Sequence, residues 1–305
     1  MRFRLDGIMP TEPTWTPPTT YEQATEDGRV LRYCLYGPGD GDPAVHCIGS
    51  PATRWLRPDR IERFERSGLR QLVYDRPGYG GSTRQPGRSV ADAVADVVAL
   101  ADAQGWERFA VNGGSGGGPH ALACAALLPD RVTRCAVVSG IKPPDVSDLD
   151  RPGLSQLSRL SVLGEDSVRP HLENVSRDIM AQIDAGGPEV LPAPGAPAPD
   201  PTAPRPPRAI DDPAAMARLR ATFVDGMDGW IDDNLAFVRP WGFEMKDITV
   251  PVSVWYGRTD TNIPNEQSEW LVAHIPGAEA YEYDGGHLPD AATHARVHAW
   301  LRGER

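Results

Sequence analysis

Long apolar runs are missing from this 305-residue chain, and with them any stretch able to span a bilayer. The N-terminus, Met1-Arg2-Phe3-Arg4-Leu5-Asp6-Gly7, lacks the apolar core of a signal peptide, so a cytoplasmic protein is expected. Cysteine is scarce. Cys34, Cys47, Cys124 and Cys135 lie within or beside apolar runs with no Cys-x-x-Cys pair, which argues against zinc-site spacing and predicts buried free thiols. Positive charge is also short: 31 Lys and Arg stand against 42 Asp and Glu, a net charge of −11. Binding to nucleic acid or anionic membrane relies on clustered Lys and Arg, so neither is an expected partner. Arg54, Arg57, Arg60, Arg63 and Arg66 recur at intervals of three and read as a solvated helix face. With 40% hydrophobic and 24% charged residues, the chain has the composition of a soluble globular protein. Its length suits one large α/β domain with an insertion, or two small domains.

Residues 1–20, rich in Thr and Pro, are expected to form a loose arm. From Tyr21 two strand-like runs flank Glu26-Asp27-Gly28, a strong hairpin signal, so the first two strands should be antiparallel. Strands then alternate with helices as far as residue 140. Short apolar runs at 44–48, 71–74, 109–111 and 135–138 are separated by helical stretches. One of these carries Val90, Val94, Val97, Leu100 and Ala101 on a single stripe of about 16 residues. Such alternation implies right-handed crossovers and a mainly parallel sheet covered on both faces, with reactive groups beyond the C-terminal strand ends.

The alternation stops for residues 141–246, which show helical patterns at 168–185 and 213–224. In the stretch 192–207, positions 192, 194, 197, 199, 201, 204, 206 and 207 are all proline, which cannot hold helix or central strand. The segment reads as a mobile helical cap. Near its end, Trp230, Phe237 and Trp241 could line an apolar substrate pocket or glue cap to core. The core pattern resumes over 247–305 with a β-branched run at 250–256, a helix near 266–275, a short strand at 278–283 and a last helix at 290–302.

Three signals at strand ends stand in the order Ser115, Asp260, His287. Ser115 lies in Gly113-Gly114-Ser115-Gly116-Gly117, the Gly-x-Ser-x-Gly pattern of a serine held on a sharp strand-to-helix turn. A serine hydroxyl needs an imidazole to take its proton, and the imidazole needs a carboxylate to fix its tautomer. With Asp75-Arg76-Pro77-Gly78-Tyr79-Gly80-Gly81-Ser82, Gly257-Arg258-Thr259-Asp260 and Gly285-Gly286-His287, these motifs make residues 21–302 resemble the α/β-hydrolase superfamily. That resemblance implies an α/β-hydrolase fold with an inserted cap, and a serine hydrolase of the esterase or proline-iminopeptidase-like branch. It assigns Ser115 as nucleophile, His287 as base and then acid, and Asp260 as the orienting carboxylate. Asp145 and Asp148 are the competing acids, because some relatives carry the acid after the strand that follows the elbow helix. Asp284 is too close in sequence to His287.

The same resemblance makes the backbone N–H groups of Gly116 and Ser50 the oxyanion hole. Relatives usually show His-Gly in the second loop; here Ile48-Gly49 stands instead, which leaves that loop without its usual support. His46 could substitute for that histidine, but it is expected instead to be satisfied by a neighbouring carbonyl. His120, His274, His294 and His298 are expected to pack or face solvent. The Asp75–Tyr79 loop is expected to be structural. The implied activity is hydrolysis of a small carboxylic ester or lactone with no metal and no cofactor. A proline-iminopeptidase would use cap acids such as Glu173, Asp178, Asp232 and Asp233; a carbon–carbon bond hydrolase would use the same triad. A ligand receptor that retained the fold without turnover is the reading from a different class. Epoxide hydrolases and dehalogenases of the superfamily carry an aspartate at the elbow, so Ser115 argues against them.

Overall fold

The computed structural model describes residues 16–144, 155–184 and 212–304. At its edge, strands β1 (Tyr21–Ala24) and β2 (Val30–Tyr36) pair antiparallel from Tyr21↔Tyr33 to Ala24↔Val30, and Gly28 turns between them at φ +83°. The following strands are β3 (Asp42–Cys47), β4 (Leu69–Tyr74), β5 (Phe109–Gly114), β6 (Val132–Val138), β7 (Val252–Gly257) and β8 (Glu279–Tyr283). They complete one eight-stranded sheet in the order β1-β2-β4-β3-β5-β6-β7-β8. Only the β1–β2 and β2–β4 pairings are antiparallel; β4–β3–β5–β6–β7–β8 run parallel.

Successive side chains of a strand point to opposite faces, and the central strands divide their residues accordingly. Val45, Val111, Val137 and Val254 enter one core with helices α2 (Ala93–Ala103), α3 (Gly118–Leu127) and α8 (Asn265–His274). Their neighbours Ala44, Ala110, Ala136 and Trp255 enter a second with α9 (Ala291–Leu301), while α1 (Pro58–Glu65) packs Phe64 on Cys34, Tyr36 and Val73. The sheet is thus covered on both faces. All four cysteines are buried and unbridged.

The apolar stripe from Val90 extends further than its helix. Ser89 donates from its backbone and hydroxyl to Asp92 Oδ2 at 2.6 and 2.8 Å, and α2 starts only at Ala93. Val90 is fully buried from the preceding turn, so its periodicity reported the core rather than the helix.

Between β6 and β7 the described residues form four α-helices: α4 (Gln156–Leu163), α5 (Glu165–Asp184), α6 (Pro213–Thr222) and α7 (Asp228–Phe237). Val168, Leu172, Met227, Trp230, Ile231 and Leu235 pack there with Tyr79 from the sheet side. Helix α7 lies tightly on the loop after β4: a Cβ on Gly229 would sit 2.6 Å from Gly78 O, so only glycine permits the contact. Arg84 ties the same helix down through Asp228 at 2.7 Å and Asp232 at 2.8 Å. The expected arm is described only from residue 16, where Thr20 Oγ1 accepts from Arg54 Nε at 3.0 Å. The proline-rich stretch 192–207 and the competing acids Asp145 and Asp148 lie outside the described residues. Among those described, no helix is long and apolar enough to cross a membrane.

Candidate active site

Strand β5 ends at Gly114 in extended backbone, and the chain reverses into a short 3-10 turn, Ser115–Gly117, that feeds α3. Ser115 takes φ +52°, the left-handed region that costs a non-glycine residue on the order of 1–3 kcal/mol. The neighbouring glycines are obligatory. A Cβ on Gly113 would lie 2.3 Å from Gly117 O, and one on Gly117 would lie 2.0 Å from Cys47 O. The turn therefore packs against β3 with no room for side chains and leaves the Ser115 hydroxyl at the sheet's C-terminal edge.

The parallel registers carry the other groups to that edge. Gly114 pairs with Val138, Val138 with Trp255, and Gly257 with Tyr283, so the loops holding Asp260 and His287 leave the sheet on the same side as Ser115. His287 Nδ1 lies 2.9 Å from Asp260 Oδ2. Asp260 Oδ1 accepts the backbone N–H groups of Asn262 at 2.8 Å and Ile263 at 3.1 Å. Burial raises the carboxyl's pKa, but the bonds from His287 and these two amides outweigh it and hold Asp260 below the usual carboxylate range. An ionised carboxylate can only accept, so Nδ1 carries the proton and Nε2 keeps a lone pair, the tautomer a general base needs. No hydrogen bond joins the Ser115 hydroxyl to His287 among the described residues, and such contacts are commonly loose without substrate.

The loop after β3 borders the elbow. A Cβ on Gly49 would meet Ser115 Cβ at 3.6 Å; one on Gly116 would meet Ser50 Oγ at 2.7 Å and Phe237 Cζ at 3.1 Å. Ser50 and Gly116, the two candidate oxyanion donors, are adjacent. As the second residue of its 3-10 turn, Gly116 has no intrahelical acceptor for its N–H. Of the three aromatics considered for a pocket, Phe237 reaches this point. Trp241 is buried in the main core with Nε1 on Phe237 O at 3.2 Å, and Trp230 packs among the inserted helices.

The other polar candidates have separate engagements. Asp284 is an exposed partner of Arg258 at 2.8 Å. Asp75 is fully buried and accepts from Arg54, consistent with a structural loop. His46 is held by the side-chain carbonyl of Asn112 through Nδ1 and faces Arg60 through Nε2, so it points away from the oxyanion loop's support. His274 stacks on Trp270, and His294 and His298 adjoin each other near Phe64.

Two arrangements were not visible in the sequence. Ser139, at φ +47° after β6, donates to His287 O at 3.1 Å, and Tyr283 Oη donates to Gly286 O at 3.1 Å, so both grip the histidine loop. Arg76 and Asp233, 157 positions apart, meet in a buried ion pair at 2.6 Å beside Ser50. No group of three or more His, Cys, Asp or Glu that could hold a metal occurs among the described residues.

A family model for the alpha/beta hydrolase fold matches residues 45–178, the part that holds the elbow. Beyond it, the chain is 25% identical over 294 residues to a 2-hydroxy-6-oxononadienedioate/2-hydroxy-6-oxononatrienedioate hydrolase of Burkholderia vietnamiensis, covering 91% of each protein. The chain has the α/β-hydrolase fold, and the family match together with its hydrolase relatives supports a hydrolase of that superfamily. Solved structures similar to this α/β-hydrolase include an esterase from Rhodococcus, at 19% identity and a TM-score of 0.66 over 94% of this chain and 99% of the other. An enol-lactonase from Burkholderia xenovorans aligns at 18% identity and a TM-score of 0.61 over 93% and 98%. At such identities these two speak for the fold alone.

Proposed function

We propose that this hydrolase cleaves a small carboxylic ester or lactone through an acyl-enzyme on Ser115. The observation that carries the reading is the Asp260–His287 pair at 2.9 Å on the same sheet edge as a serine held at φ +52°. His287 Nε2 takes the Ser115 proton as Oγ attacks the carbonyl carbon. The oxygen's developing charge falls on the N–H groups of Gly116 and Ser50. Collapse of the tetrahedral intermediate expels the alcohol, protonated by His287, and leaves the acyl group on Ser115. Water, deprotonated by the same imidazole, then attacks the ester and releases the acid. The helices between β6 and β7 act as a cap over this edge, with Phe237 facing the acyl group.

Carbon–carbon bond hydrolysis is the second reading, favoured by the full-length similarity to the Burkholderia vietnamiensis enzyme. An aminopeptidase would have to rely on Glu173 and Asp178, because of its four candidate acids Asp232 is paired with Arg84 and Asp233 with Arg76 and Arg88.

The test is the intact mass after a fluorophosphonate, with Ser115→Ala and His287→Ala alongside. A single adduct, absent in Ser115→Ala and slowed in His287→Ala, is expected. Turnover of esters, lactones, aminoacyl amides and 2-hydroxy-6-oxononadienedioate by the labelled-competent enzyme then separates the readings. A folded chain that takes no adduct and hydrolyses none of these sinks the hydrolase reading in favour of a ligand receptor.

A further inference from the structure

Ile48 occupies the place where relatives support the oxyanion loop with histidine, yet the loop is not unsupported. One guanidinium serves three successive residues: Arg76 Nη1 donates to Ile48 O, and Nη2 donates to Gly49 O at 3.4 Å and Ser50 Oγ at 2.7 Å. The Ser50 hydroxyl in turn donates to Asp233 Oδ2. Asp233, fully buried on α7, also accepts from Arg76 Nε at 3.2 Å and Nη2 at 2.6 Å and from Tyr79 Oη at 3.0 Å, and it forms an ion pair with Arg88 Nη2 at 2.8 Å. Burial alone would raise its pKa; Arg76 and Arg88 reverse that and hold the carboxyl well below its ordinary value. His120 stands 3.7 Å from Oδ1, beyond hydrogen-bond length, and burial keeps it neutral with a pKa of about 4.

We propose that Arg76 and Asp233 are positioning residues for the oxyanion hole, acting through the side chain of Ser50. The inference rests on the hydrolase reading above. A buried carboxylate between two arginines cannot drift without leaving a charge unpaired, so the groups it holds are fixed with it. Ser50 Oγ is one such group, and it sits against Gly116, the other donor. Preorganised donors are effective only when they are held where the negative oxygen forms, and misplacement by about 1 Å can cost on the order of 100-fold in rate. Because Asp233 belongs to α7, the hole is complete only when the inserted helices are seated on the core.

The experiment compares Ser50→Ala, Asp233→Asn and the double variant with Asp232→Asn, measuring kcat, KM and Tm on the best ester. Asp232 lies next to Asp233 on α7, is equally enclosed and pairs with Arg84 without touching Ser50. Ser50→Ala keeps its backbone N–H and should lower kcat by about 10- to 100-fold with KM within about 3-fold. Asp233→Asn should do the same, and the double variant should be no worse than either single one, because both act through one contact. Asp232→Asn should lower Tm yet keep kcat within about 2-fold. Parental kcat in folded Ser50→Ala overturns the proposal, as do multiplied losses in the double variant or an equal kcat loss in Asp232→Asn. A loss in Ser50→Ala with none in Asp233→Asn also overturns it, since the hydroxyl would then be an oxyanion donor in its own right. Should Asp233→Asn fail to fold, Arg76→Lys, which keeps the charge but not the fork that holds Ser50 Oγ, takes its place with the same outcomes. Failure of the underlying reading is separate and visible without these variants, as absence of Ser115-dependent turnover in the parent.

Discussion

Replacing Asp260 with Asn changes almost nothing except the atom that faces His287. The side chain is 1% exposed, so the near-isosteric amide keeps the packing, and its carbonyl oxygen can still accept from the Asn262 and Ile263 amides. The amide NH2 must then point at His287 Nδ1, where a carboxylate oxygen lay at 2.9 Å. If Nδ1 keeps its proton, two donors face each other. The loss of a hydrogen bond to a charged group costs about 1.5–3 kcal/mol, and the unsatisfied buried donor about 1–3 kcal/mol. If the imidazole shifts its proton to Nε2, the clash disappears and so does the base. Either way the working tautomer is disfavoured by about 2.5–6 kcal/mol, or between about 10² and 10⁴ in kcat at 1.36 kcal/mol per decade. The upper end agrees with the roughly 10⁴-fold loss for the same change in a serine protease with a Ser-His-Asp triad. The assay is kcat/KM on a chromogenic ester, with Tm reported to verify folding. A folded Asp260→Asn enzyme within about 5-fold of the parent would refute the assignment, and the same change at Asp145 or Asp148 would then be the next to make.

Other consequences concern the frame. Gly117→Ala should be destabilised by about 3 kcal/mol or more, because its Cβ would lie 2.0 Å from the backbone oxygen of Cys47. Gly39→Ala, with nothing within 4 Å, should leave Tm unchanged; similar Tm values for the two would contradict the packing argument. Burial holds His120, His294 and His298 at pKa values of about 4, 3 and 4 against an ordinary 6.5. The unfolded chain binds protons at these positions near pH 6.5 and the folded chain does not. Their contribution is therefore full above 6.5 and declines as pH falls toward 4, by up to about 1.4 kcal/mol per pH unit each. Asp75 and Asp96, whose carboxyls burial pushes upward, act in the opposite sense, so the useful measurement is differential. His298→Gln should lose less Tm than the parent between pH 7.5 and 4.5, and an equally steep loss would count against the assignment.

The sequence alone determined the features written in local chemistry. Asp27-Gly28 between strand-like runs specified the β1–β2 hairpin, because the turn's backbone demands are met by those residues. The alternation of short apolar runs with helical stretches specified the parallel sheet. Gly113 and Gly117 around Ser115 marked the elbow, since no other residue fits where a strand doubles back against its neighbour. Asp260 and His287 were legible as residues at strand exits, and the parallel registers of β5 to β8 bring both loops to one edge. What only the tertiary structure decided depends on contacts between distant segments. Val90 carries a helical signal yet lies in the turn before α2, because core burial and helical periodicity leave the same apolar mark. Trp230, Phe237 and Trp241 are alike as sequence, and only packing separated Phe237 at the elbow from two tryptophans in apolar clusters. Arg76 and Asp233 read as a loop arginine and a cap acid. A charged residue carries no sequence signal of its partner, and 157 positions of chain had to fold before one carboxylate, two arginines and Ser50 could share a buried site.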